Sequence, residues 1–488
     1  MPARRDFRDD RKMALMNTLS RMIFPLLLTV AAPAFGSDSA ASESIAATLR
    51  DKALRGESPA WDFVSEITTR FGPRPAGSAA DRAAAEWSAS KLKALGFQNV
   101  QIEEFPMTAW VRGPERVEVL APSPQPLAAA SLGGAPPTPP KGVEGEVAMF
   151  GSYAELAAAA PASLTGKIAF VAYHMTRTQD GSGYGAAGPG RRSGPAAAAQ
   201  RGAVGYLVRS LATGGARMPH AGATAYVNGK VPLPAFALAE PDADQIERLI
   251  RLGEKVRVRL TSTASFVKEA RSQNVIGEIP GTDRASEVIV LGAHADSWDL
   301  GTGAIDDAAG MAIVTATAKL IADAPRKPRR TVRVVLYGAE EVSQPSGTTP
   351  RVGGTYLENR KAQLSSHVLA GESDFGADRV YAVSLSKGAA GSAFGQSLMR
   401  VLAPLGVVPS ESPPGEGGSD ISPLVESGVP AFVLRQDGSK YFDYHHTADD
   451  TLDKIDPAAL SQNVAAWVSL VWLVADSDVD FRALAAKK

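Results

Sequence analysis

The chain has 488 residues, is 44% apolar, and carries Lys+Arg 51 against Asp+Glu 52, a formal net charge of -1. That length exceeds one small core and predicts two domains, while a charge near zero gives no electrostatic reason to expect nucleic acid or an anionic membrane surface as partner. Cys 0 removes disulfides, thiolate catalysis and cysteine-ligated zinc together, so any transition metal must be held by His, Asp and Glu.

At the start of the chain Arg21 precedes an apolar run over 22–34, and Ala34-Phe35-Gly36 places small residues where a signal peptidase reads them. Residues 1–36 therefore read as a cleaved export signal, and the mature protein as periplasmic or secreted. The run is shorter than the ~20 apolar residues that span a bilayer, and Pro25 and Pro33 interrupt it, so no stable membrane anchor is expected. The charged stretch 4–12 points to translation starting at Met13 or Met16.

From Ser44 to Phe97 the apolar spacing is helical and closes at Gly96, a C-terminal cap; 100–102 then reads as a strand. Pro122, Pro124, Pro126, Pro136, Pro137, Pro139 and Pro140 exclude regular interior structure and mark a boundary. Short strands follow at 166–172 and 204–208. Between them, 176–195 is expected to be a mobile Gly-rich loop bearing Arg177, Arg191 and Arg192, with a short helix at 196–200. This middle region, 115–265, is predicted to be a small β-rich domain inserted between the two parts of a larger one, 37–114 and 266–488. In the latter, strands at 288–291, 332–336 and 429–434 alternate with a helix at 308–324 and a closing helix through Leu460, Val464, Trp467, Val468, Val471 and Trp472. Such alternation predicts an α/β fold with a mostly parallel (mixed) sheet covered by helices on both faces, and ligands at the carboxyl ends of its strands.

The chemistry-bearing residues recur at those ends: His294 and Asp296, Asp306 and Asp307, Glu340 and Glu341, Asp374, and finally His446. Converging carboxylates and imidazoles repel or stay poorly solvated unless a cation neutralises them, so the pattern implies a metal site. His294, Asp306, Glu341, Asp374 and His446 are the expected ligands, with Asp306 able to bridge two ions. Asp296 is placed to accept the second imidazole N–H of His294 and fix its tautomer. Neighbouring Glu340 and Glu341 point apart, so Glu341 is assigned to metal and Glu340 to general base. Taken singly, Asp306 would be a helix cap and the Glu-Glu pair a solvated edge; their conjunction on separate loops favours the metal reading. His445 competes with His446. His174, His220 and His367 read as surface residues, and Asp449-Asp450-Thr451 as a helix cap.

The motifs Gly292-Ala293-His294-Ala295-Asp296-Ser297-Trp298-Asp299, Gly303-Ala304-Ile305-Asp306-Asp307-Ala308-Ala309-Gly310, Ala339-Glu340-Glu341, Glu372-Ser373-Asp374 and His445-His446-Thr447 together resemble the co-catalytic zinc exopeptidases, most closely the carboxypeptidase Q group. The resemblance covers most of the chain after the leader, including Gly415 to Asp420 and Asp449 to Asp456. It implies two Zn2+ ions, one on His294 and Asp374 and the other on Glu341 and His446, with Asp306 bridging and Glu340 as acid/base. It also implies that the insert is a protease-associated domain, above all across 194–210, and that the protein is a homodimer. The carboxypeptidase Q group carries a further histidine just after its metal-binding one, where this chain has Ala448; the spacing His446-Thr447-Ala448-Asp449-Asp450-Thr451 is closer to general aminopeptidases and favours His446 over His445.

The expected activity is that of an exported aminopeptidase or dipeptidase acting on short peptides with a free N-terminus. Two alternatives are distinguishable. A glutaminyl cyclase would hold a single zinc, and a receptor-like binding protein would have lost catalysis, against which stands the retention of every ligand and of Glu340.

Overall fold

The computed structural model describes residues 35–345 and 354–486. The export signal read over 1–36 lies, apart from its last two residues, outside the described residues.

Five strands form the sheet that carries the site, in the order Gln98–Val111, Ser265–Ile279, Arg330–Tyr337, Arg284–His294, His367–Glu372. The first two pairings are antiparallel and the last two parallel, so the sheet is mixed with a parallel end. Alternate side chains explain the unbroken apolar runs. Val275, Ile289, Leu291, Val332, Val334 and Leu336 enter one core, while Ile276, Val288, Val290, Val335 and Tyr337 enter another. Each face is buried, which is why neither strand reads as apolar-in, polar-out. The larger core is filled by the helices Ala309–Ala322 and Pro457–Asp476. The latter is long and apolar enough to cross a membrane, but 89% of that stretch is buried inside the protein, as befits a core helix. Asp456 caps it by accepting from the Ala458 N–H.

A second sheet takes all eight of its strands from the middle of the chain, between Glu115–Ala121 and Arg257–Ser262. The Pro-rich stretch, expected to lack regular structure, contributes two of them, Gln125–Leu127 and Ala129–Ser131, which pair at the two ends of this sheet, where the N–H that proline lacks costs least.

The segment 176–195 departs further from expectation. It is not a loop: Ser182–Ala199 is one helix, with Pro189 and Pro195 inside it. Each proline removes a helical hydrogen bond, but packing against Ile168–Val171 and Gly205–Arg209 compensates. Its glycines permit that approach, since a Cβ on Gly194 would lie 2.0 Å from the Tyr206 hydroxyl oxygen, and that hydroxyl donates to Gly190 O at 2.6 Å. Tertiary contact outweighs local propensity here.

Candidate metal centre

Loops leaving the parallel end of the sheet carry His294, Glu340, Glu341 and Asp374, and the segment after the short helix Tyr441–Tyr444 brings His446 to them beside Asp306. His294 ends its strand, and its Nε2 lies 3.0 Å from Asp306 Oδ1 and 3.4 Å from Asp374 Oδ1. On the other side of Asp306, His446 Nε2 lies 3.1 Å from Asp306 Oδ2 and 2.9 Å from Glu341 Oε2. Two donor groups therefore share one residue: His294, Asp306 and Asp374, and Asp306, Glu341 and His446, with the donor atoms of each group within 4.8 Å of one another.

Several of these contacts lack hydrogen-bonding geometry. Asp306 Oδ2 and Glu341 Oε1 are buried without any hydrogen bond, a costly state for carboxylates unless a cation takes up the charge. The donor set of oxygen and imidazole nitrogen fits a divalent transition metal. Burial and the negative charge of Asp374 push the Glu340 carboxyl up to about 7. Glu340 borders the same pocket, and its side chain makes no ion pair among the described residues.

Four further carboxylates position the loops, each binding two backbone N–H groups. Asp296 accepts from Glu340 N at 3.0 Å and Glu341 N at 3.2 Å. Asp307 accepts from His294 N and Gly310 N, both at 3.0 Å. Asp450 accepts from Ala304 N and Ile305 N, both at 2.7 Å. Glu372 accepts from Asp420 N and Ile421 N, both at 2.9 Å. The buried Arg74 adds hydrogen bonds to the carbonyls of Gly72, Ala295, Thr302 and Gly303. Two non-glycine residues here have left-handed backbones, Ala339 with φ 64 and His446 with φ 58, a conformation that persists only where the surroundings enforce it.

Four expectations are corrected by this arrangement. The His294 Nδ1 is nearer the backbone carbonyl of Asp296, 3.0 Å, than its carboxylate, 3.6 Å, so Asp296 acts mainly on the Glu340–Glu341 backbone. Asp307 rather than Asp306 binds the first turn of the following helix, because the Asp306 side chain is turned to the histidines. Asp450 does not cap the turn that follows it and instead binds the Ala304 and Ile305 N–H groups, where the helical segment Ala304–Ala308 begins. His220 and His367 are fully buried, not on the surface. His220 Nε2 lies 2.8 Å from His445 Nδ1, and His445 Nε2 lies 3.2 Å from Asp306 Oδ2. His445 thus faces both Asp306 and the middle of the chain, while His446 alone of the two reaches Glu341. No local signal marks His220, since its partner is 225 residues away.

The pocket over these groups has a volume of ≈ 280 Å³. One wall is the sheet edge with Asp306, Glu340, Glu341 and Asp374; the other includes Tyr184, Arg191 and Arg192 from the helix Ser182–Ala199.

Residues 274–471 match peptidase family M28. Carboxypeptidase Q of Bos taurus is 31% identical over 423 residues, 86% of this chain and 86% of that protein. The chain belongs to peptidase family M28. By that membership it is a zinc metallo-exopeptidase, and His294, Asp306, Glu341, Asp374 and His446 make up the two groups placed to hold metal. A crystal structure of a peptidase M28 precursor from Shewanella amazonensis SB2B superposes with a TM-score of 0.85 at 42% identity, covering 91% of this chain and 98% of that one. A zinc aminopeptidase from Bacillus subtilis superposes with a TM-score of 0.60 at 19% identity over 86% of this chain and 96% of that one, a likeness of fold alone.

Proposed function

We propose that the protein is an exported exopeptidase that holds two zinc ions and removes residues from short peptides with a free N-terminus. The observation that carries this reading is the pair of donor groups sharing Asp306, which suits two adjacent cations bridged by one carboxylate. His294 and Asp374 would hold one ion, Glu341 and His446 the other. When bound, such ions supply Lewis acidity and positive charge at the scissile carbonyl. Glu340, whose carboxylate borders the pocket and is raised to about 7 by burial and Asp374, accepts the proton of the attacking water and delivers it to the departing amine. Asp296 positions both glutamates by holding their backbone N–H groups. The small pocket, ≈ 280 Å³, supports short substrates. The middle sheet, with the parallel strands around Gly205–Arg209, supports its reading as a protease-associated domain, and the sequence before residue 37 supports export.

The test is metal analysis of the purified protein beside hydrolysis of dipeptides, N-blocked dipeptides and longer peptides. Two zinc per chain with cleavage only of free N-termini is expected. One zinc with cyclisation of N-terminal glutamine would replace this reading with a cyclase, and tight peptide binding without turnover would replace it with a receptor.

A further inference from the structure

The two donor groups are held by different parts of the chain. His294 ends the strand Arg284–His294, and Asp374 closely follows the strand His367–Glu372. Asp307 accepts from His294 N, and Ser373 N donates to Gly292 O at 2.9 Å, so both ligands are fixed by the five-stranded sheet and the loops it carries. His446 stands on no strand. It comes just after the short helix Tyr441–Tyr444 and has the left-handed backbone, φ 58, that a non-glycine residue keeps only where its surroundings impose it.

Those surroundings come from the middle of the chain. Ahead of His446, the Arg177 guanidinium grips the Asp443 carboxylate with both arms, Nη2 to Oδ1 at 2.7 Å and Nη1 to Oδ2 at 3.1 Å, and the Thr213 hydroxyl donates to the same Oδ1 at 2.8 Å. Arg177 Nη2 also donates to Thr213 O at 2.6 Å, and Thr213 N to Phe442 O at 3.2 Å, which ties the two partners of Asp443 to each other and to the helix. Gly214 lets the backbones meet, since a Cβ there would lie 3.1 Å from the Asp443 Cβ. At His446 itself, Ala221 N donates to the carbonyl at 3.1 Å, and Nδ1 faces Ala221 O at 3.4 Å, while Nε2 is turned to Glu341 and Asp306. A carbonyl that takes the proton of one ring nitrogen leaves the other free for metal.

We infer that the middle segment holds one of the two metal positions: Asp443, clamped by Arg177 and Thr213, is a positioning residue that presents His446 to the ion shared with Glu341, whereas the ion of His294 and Asp374 is bound without it. This rests on the two-zinc reading above. Metal affinity at the second position is therefore set by contacts that begin more than one element away from any ligand.

The experiment is calorimetric titration of zinc into the metal-stripped full chain, as wild type, Asp443→Ala, Asp443→Asn, Thr213→Val and Arg259→Ala. Arg259→Ala is the control: it removes an ion pair to Glu144, 2.8 Å, between two strands of the middle sheet that contribute neither Arg177 nor Thr213. The titrations are repeated with Glu341→Gln added, which leaves only the His294 position. Loss of charge-assisted bonds that are partly exposed should weaken one of the two ions by roughly 5- to 50-fold in Asp443→Ala, and by about 2- to 5-fold in Thr213→Val. Asp443→Asn should fall between them, because its amide oxygen still accepts from Thr213. The other ion should stay within about twofold of wild type, Arg259→Ala should change neither, and in the Glu341→Gln background Asp443→Ala should leave the remaining affinity within about twofold. A general loosening of the fold would not pass that cycle. Equal weakening of both ions in Asp443→Ala, no weakening of either, or the same loss in the Glu341→Gln background overturns the inference. Should Asp443→Ala fail to fold, Thr213→Val decides: selective weakening upholds the clamp and unchanged affinities overturn it. If the wild type binds a single zinc, the two-zinc reading fails; the clamp then stands if Glu341→Gln abolishes that binding and Asp443→Ala weakens it, and falls otherwise.

Discussion

The two walls of the pocket are held by different physics. On the sheet side, loops that carry His294, Asp306, Glu340 and Glu341 are fixed by carboxylates binding pairs of backbone N–H groups at 2.7 to 3.2 Å. On the side of the helix Ser182–Ala199 rings join the hydrogen bonds: Tyr184 stacks on Phe442 at 4.7 Å between centroids, His220 stacks on His446 at 5.1 Å, and Ala221 N donates to His446 O at 3.1 Å. Charge-assisted hydrogen bonds set direction as well as distance, whereas ring contacts tolerate sliding. Chemistry that needs fixed donors sits on the first wall, and the second closes the pocket opposite it.

The comparison is broken most severely at Asp306, the one residue in both donor groups. Asp306→Asn should lose metal from both groups and abolish hydrolysis, because a neutral amide cannot offset two adjacent dications; zinc content near two per chain in this variant would remove the bridging role. Glu340→Gln comes next. It should keep its metal and lower kcat by about 10²- to 10⁴-fold with KM little changed, and the same change at Glu341 should weaken metal binding instead. The reverse pattern in metal content would exchange the two roles.

The bracing carboxylates are tested at Asp450, where both N–H groups are accepted by one oxygen, Oδ1. Asp450→Ala orphans both and should cost about 2–4 kcal/mol in denaturant unfolding, while Asp450→Asn, which keeps an acceptor oxygen, should cost less than about 1 kcal/mol. Equal losses would mean that charge, not the two hydrogen bonds, matters there.

The last test lies outside both walls, at His367, where burial pushes the imidazole down to about 4. Its Nδ1–H donates to Gln363 O at 3.0 Å, and its Nε2 accepts from the Tyr356 hydroxyl at 2.9 Å, which fixes the neutral form. The unfolded chain takes up a proton near 6.5 and the folded one only near 4, so stability is lost as pH falls across that window and levels off below it. The loss is on the order of 3 kcal/mol, and His367→Gln should remove it from the pH dependence of unfolding. An unchanged slope would show that His367 is hydrated.

Much of the first wall is legible in the sequence because most of its groups follow a strand, and the carboxyl ends of parallel strands lie together by topology alone. What escapes reading is second-order: that Asp296 and Asp450 serve backbone N–H groups depends on which loop lies beside which. The second wall is hidden from the sequence for another reason. Glycine and proline between 181 and 195 are local signals for a loop, and only the neighbouring strands reveal that they let a helix sit close. His220 owes its place to a contact with His445 made across the pocket, which no spacing encodes.

The long antiparallel pair Gln98–Val111 and Ser265–Ile279 carries the chain out to the second sheet and back, and Val111 is the register partner of Ser265. The two points where the middle segment departs and returns are therefore neighbours on one ladder, a separation that a tight turn can bridge. Everything between them is topologically a single excursion from a hairpin tip. A chain shortened to that hairpin would keep the strand ends bearing His294, Glu340 and Glu341 while losing Tyr184, Arg191 and His220 at one stroke. The donors of the site and the wall opposite them thus occupy separable stretches of polypeptide, and one could be exchanged in a lineage without re-threading the other.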